Sequence, residues 1–119
     1  MQEISSNMFI PPHPLKTAVL FIVFNRTDTT KQVFEAIRKA KTPRLYVAAD
    51  GPRADKPGEA EKVEQVRRIA THVDWECEVK TLFRDKNMGC RVAVSSAISW
   101  FFENEDHCQH WVQVQIYQA

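Results

Sequence analysis

No segment of this chain is long and apolar enough to cross a bilayer. The longest apolar run, residues 18–24 (AVLFIVF), falls far short of the ~20 residues a spanning helix needs. The N-terminus lacks the basic start and apolar core of a secretory signal. Charge of either sign is not in excess. The formal net charge is +1, so no whole-molecule field draws in nucleic acid or an anionic surface. Cysteine is sparse: Cys77, Cys90 and Cys108 cannot all pair within one chain, and none stands in CxxC spacing. They read as reduced thiols of a cytosolic protein, with Cys77 a small core hydrophobe. The chain has no GxxxxGK[ST] and no GxGxxG, which speaks against a P-loop NTPase and a dinucleotide dehydrogenase.

What is there suits one globular domain. The chain has 119 residues, 44% of them hydrophobic and 26% charged, which excludes global disorder. Residues 1–16 are polar and then punctuated by Pro11, Pro12 and Pro14, so they read as an irregular lead-in. The run at 18–24 predicts a strand buried on both faces. Asp28 is placed to cap a helix reaching residue 40 or 41, with Val33, Ile37 and Ala40 inward, and Pro43 follows it. A second strand over 44–49 stops at the turn signal Asp50-Gly51-Pro52-Arg53. A helix over 59–71 turns Val63, Val66 and Ala70 inward. A third strand spans 76–83, and a third helix over 90–105 carries Val94, Ala97, Ile98 and Phe101 on one stripe. This alternation predicts an α/β, three-layer Rossmann-like domain: a mostly parallel sheet of three or four strands with helices on both faces.

The tail differs. Residues 107–119 contain no Gly, Pro, Lys, Arg, Asp or Glu, and Val112, Val114 and Ile116 alternate with Gln113 and Gln115. That pattern predicts a half-exposed strand, paired with the sheet on one side only or detached. Either outcome leaves a sheet edge through which copies of the chain can self-associate.

Ligands of open parallel sheets collect beyond the carboxyl ends of the strands. Three polar clusters fall there: Asn25-Arg26, Asp50 to Arg53, and residues 84–89. Asp50 can accept hydrogen bonds from a base or ribose. Arg26, Arg53, Arg84 and Arg91 can neutralise phosphates. Gly89 opens a helix whose first N–H groups favour an anion. Each cluster also has a plain structural reading: Asp-Gly-Pro as a turn, Asn-x-Gly as a loop needing positive φ, the arginines as solvated. Trp100 adjoins the inward stripe of the third helix and reads as packing.

Taken in order, residues 18–26, 45–53 (LYVAADGPR) and 87–91 (NMGCR) resemble the start of bacterial GT-A glycosyltransferases, closest to a group of sugar transferases often labelled hemolytic-protein-like. The resemblance covers about residues 17–106. It implies a GT-A-like half-domain that binds a nucleotide-diphosphate sugar, with nucleotide contacts from Phe24, Asn25, Arg26, Asp50, Arg53, Asn87, Gly89 and Arg91. It further implies a bacterial, cytoplasmic protein, or one peripheral to the inner membrane.

The resemblance breaks at the tail. Complete members carry a buried strand ending in an Asp-x-Asp-like motif that holds Mg²⁺ or Mn²⁺ against the diphosphate. Here Trp111 to Tyr117 occupies that place with no acid after it. Asp74-Trp75-Glu76 has the spacing but sits at the amino end of the sheet, and His107-Cys108-Gln109-His110 offers too few ligands for a closed zinc site. The expectation is a truncated, inactive transferase that binds no metal and has no catalytic residue of its own. The alternative is a non-enzymatic nucleotide-binding or regulatory module.

Overall fold

A computed structural model describes residues 18–105 and 114–119. The described elements run β1 (Ala18–Val23), α1 (Thr27–Ala40), β2 (Arg44–Ala49), α2 (Glu59–Ala70), β3 (Glu78–Phe83), α3 (Cys90–Glu105) and β4 (Val114–Gln118). They build a four-stranded sheet in the order β3-β2-β1-β4, with every pairing parallel. The expected α/β architecture is present. Sheet order reverses beside β1, whose neighbours are β2 on one side and β4 on the other.

β1 is buried at all six positions, as a continuous apolar run in a central strand must be. Its residues alternate between two cores. Val19, Phe21 and Val23, with Leu45, Val47 and Ala49 of β2, meet Phe34 and Ile37 of α1 and Val66 and Ala70 of α2. Ala18, Leu20 and Ile22, with Tyr46 and Ala48, meet Ala97 and Phe101 of α3. Helices therefore cover both faces, two on one side and α3 on the other. Tyr46 is the hinge of the smaller core. Its ring stands edge-on to Phe101 at 4.8 Å and to Trp100 at 5.3 Å, so Trp100 packs as expected.

Several local expectations change. The first helix begins at Thr27, with Arg26 as its cap residue and no side-chain cap. Asp28 is already inside the first turn, where it still complements the helix dipole. Phe34 is buried and Val33 only partly so, because the apolar stripe of α1 is centred one residue further on. The helix ends at Lys41 in the left-handed region, φ 51°, whose N–H reaches back to the Ile37 and Arg38 carbonyls. β3 starts two residues later than the sequence suggests. Trp75 and Cys77 precede it and pack against the larger core, and burial pushes the Cys77 thiol up.

The tail does pair, and among the described residues on one side only. Val114 lies opposite Ala18 and Gln118 opposite Ile22. Tyr117 packs against the larger core, while Ile116, on the α3 side of the sheet, is 47% exposed. Residues 1–16, the histidine-cysteine segment 107–110 and Trp111 lie outside the described residues.

Candidate functional site

The carboxyl ends of β1, β2 and β3 and the end of the β4 segment converge on one cavity of about 280 Å³. Ile22, Val23, Ala48, Ala49 and Leu82 make an apolar floor, and Ala93 and Val94 of α3 a wall. Its polar lining includes Asp50, Arg53, Arg84 and Asn87. The reversal of sheet order beside β1 is where open parallel sheets bind ligands, since loops leave neighbouring strands in opposite directions there.

Asp50 leaves β2 into this space and is only 8% exposed. Its Oδ1 accepts two backbone N–H groups, from Gly51 and Met88, each at 2.8 Å. Its second carboxylate oxygen has no hydrogen bond among the described residues. That oxygen still reaches solvent. Asp50 thus pins the β3–α3 loop with one oxygen and keeps the other as an acceptor. Asn87 ties the same two loops from the other side. Its Nδ2 donates to the Gly51 carbonyl at 2.9 Å, and its Oδ1 accepts from Gly89 N–H at 3.2 Å. Gly89 has φ +88°, and a Cβ there would meet nothing within 4 Å. Glycine is needed at this position for its backbone angle, and open space lies beside it.

Of the eight residues singled out in the sequence, Phe24, Asp50, Arg53, Asn87 and Gly89 line the cavity. Asn25, Arg26 and Arg91 do not. Arg26 serves α1: its carbonyl accepts the Thr30 hydroxyl at 2.6 Å and the Thr30 N–H at 3.0 Å. Arg91 is exposed on α3. Arg84 does reach the cavity. Its Nη2 contacts only Ser96 Oγ, at 3.2 Å, so most of its donors remain for a ligand.

Glu59 is a residue that motif reasoning passed over. It is 5% exposed at the start of α2. It accepts from Arg53 Nη2 at 2.7 Å, Arg53 Nε at 3.0 Å, Arg53 N–H at 2.7 Å and Asn25 Nδ2 at 3.2 Å. The Arg53 guanidinium also lies 5.7 Å over the Phe24 ring. Arg53 and Asn25 are thus held together by one carboxylate, which joins the β1 and β2 ends into a single rim. The hydrogen bonds from the Arg53 side chain, then its backbone N–H, hold Glu59 down at about 2, against an ordinary value of 4.5. A depressed carboxylate contributes its full stabilisation above the unfolded value and loses it as pH falls through the folded one. Glu59→Gln should therefore melt below wild type at pH 6, with the gap closing between pH 4.5 and 2. Thermal melts across that range read it directly; a constant gap would show that the charge of Glu59 is not what holds the rim.

Arg67 was also missed. It stands in the inward stripe of α2, between Val66 and Ala70. Its guanidinium lies 4.7 Å over Phe83 and donates to the Asp50 and Arg84 carbonyls at 3.1 and 2.7 Å. Burial lowers its pKa. It fastens the ends of β2 and β3 from beneath. A cation at spacing 63, 66, 67, 70 was the available signal. Asp74, set aside in the sequence for its place at the amino end of the sheet, is ion-paired there with Arg38 at 2.9 Å, and Trp75 Nε1 donates to the Thr42 carbonyl at 2.8 Å. No protein-family model, curated protein or solved structure matches this chain.

Proposed function

We propose that this chain binds the nucleotide part of a nucleoside-diphosphate sugar in the cavity at the carboxyl ends of its strands. One observation carries the reading: an Asp that is 8% exposed, at a strand end in the cavity, holds a loop with one oxygen and leaves the other without a partner. Around it an apolar floor suits a planar base, and Arg84 supplies uncommitted cationic donors for phosphate. The cavity is at the small end of ligand sites, about the size of a nucleoside, so diphosphate and sugar would extend toward solvent. The sequence resemblance to GT-A sugar transferases, with base contact at Asp50, supports the same ligand class. This proposal concerns binding; no catalytic residue is assigned.

Asp50→Asn tests it cleanly. The amide oxygen keeps both backbone contacts of the loop, while an NH₂ replaces the free acceptor. Melting temperature should change little. Affinity for uridine diphosphate should fall by about 1.5–3 kcal/mol, a roughly 10- to 150-fold rise in Kd. Calorimetric titration, with guanosine and adenosine diphosphates as comparators, gives the answer. Unchanged affinity would remove Asp50 from the site, and no heat with any of the three would remove the nucleotide reading.

A further inference from the structure

α3 differs from the other two helices in carrying apolar residues on opposite sides. Ala97 and Phe101 face the sheet. On the far side stand Val92, Ser95, Ser99 and Phe102, spaced three, four and three residues apart, which is one continuous helical stripe. Val92 is 45% exposed and Phe102 46%. Two large apolar side chains left exposed on one stripe of a helix offer a contact surface. The stripe is flanked by Arg91 near its start and Glu103 near its end. Both are exposed, and neither has an ion-pair partner among the described residues.

The stripe is complementary to itself in one orientation. Two copies laid antiparallel, with a two-fold axis at the level of Ala97, set Val92 against the partner's Phe102 and Ser95 against the partner's Ser99. Large residues then meet at both ends and small ones at the centre, where the helices can approach closely. The same orientation brings Arg91 to the level of the partner's Glu103, whereas a parallel pair would set like charges side by side. Ser95 can be covered without penalty, because its hydroxyl already donates to the Val92 carbonyl at 3.3 Å.

We propose that the outer face of α3 docks a second copy of this chain as an antiparallel helix pair. One helix face buries less than the ~1,600 Å² of a standard interface, so the dimer is weak and concentration-dependent. The cavity lies against the opposite side of α3, so this pairing is independent of the nucleotide reading.

The test is sedimentation equilibrium over a wide concentration range. Wild type should move reversibly between monomer and dimer. Val92→Lys and Phe102→Glu, both at exposed positions, should each weaken dimerisation roughly tenfold or more while circular dichroism stays unchanged. Mixing the two variants should restore it. In the antiparallel mixed pair one end becomes Lys–Glu and the other stays Phe–Val; a parallel pair gains no such match. A wild type that stays monomeric throughout would give the stripe to some other partner and overturn the proposal. A dimer that both variants leave intact would place self-association elsewhere, at the sheet edge for instance, and a mixture without recovery would overturn the antiparallel arrangement.

Discussion

Glu105→Ala is expected to destabilise the fold by about 3–5 kcal/mol, the usual result of removing one partner from a buried ion pair. Glu105 ends α3 with 5% exposure. It accepts Arg44 Nε and Nη2, each at 3.1 Å, and a short hydrogen bond from the Tyr46 hydroxyl. The carboxylate is thus the counter-charge for a guanidinium that is only 28% exposed and the acceptor for a phenol 1% exposed. Burial, then the bond to Glu105, pushes the Tyr46 pKa up, so the phenol remains a donor at any physiological pH. Without Glu105 both groups lose a partner in a place water reaches poorly. Tyr46→Phe removes only one neutral donor and should cost about 1 kcal/mol. Urea denaturation of the two variants gives the comparison. A loss below about 1 kcal/mol for Glu105→Ala would mean that solvent or a rearranged Arg44 replaces the pair. The network lies at the amino end of β2, opposite the cavity, so nucleotide affinity of the folded fraction should not change.

The contrast between Glu105 and the strands shows what the sequence made legible. β1 could be read at once, because a six-residue run without a polar side chain has few ways to exist other than covered on both faces. The limits of α3 were equally plain, between the polar loop at 84–89 and the change in composition after residue 105. Periodicity says which residues face inward but not what they meet. Glu59 and Arg67 carry no local signal of their partners, because each finds them outside its own helix. Glu59 meets Asn25 across 34 positions, and Arg67 meets Asp50 and Arg84 across 17 each way. Asp50 and Asn87 were visible because strand ends and Asn-x-Gly loops are recognisable locally. Arg26 and Arg91 shared that local visibility yet do not line the cavity, since a position near a strand end does not fix where a long side chain goes.

Gly51 is the sharpest case of a residue correctly noticed for the wrong reason, and Gly51→Ala is expected to cost about 3 kcal/mol, the upper end for overpacking. Asp50-Gly51-Pro52-Arg53 reads as a turn, but the chain turns later, at residues 54–58. Gly51 has no positive φ that would require glycine. What requires it is proximity. A Cβ at this position would sit 2.6 Å from the Lys86 carbonyl carbon, 2.7 Å from the Asp85 carbonyl carbon and 2.7 Å from Lys86 N. These are backbone atoms, which cannot rotate aside as a side-chain tip would. The 85–86 segment must therefore move, and it leads directly into the loop that Asp50 and Asn87 hold. Moving it strains the Met88 N–H bond to Asp50 Oδ1 and the Asn87 bond to the Gly51 carbonyl together. The variant should consequently lose both stability and nucleotide affinity, unlike Glu105→Ala, which should lose stability alone. Gly89→Ala is the matched comparison: it meets open space and carries only the strain of φ +88°, about 1–2 kcal/mol. Chemical denaturation and calorimetry on the three variants separate these effects. If Gly51→Ala kept wild-type stability, the two loops would be able to part freely, and the cavity rim would not be the rigid platform that a partly desolvated Asp50 needs.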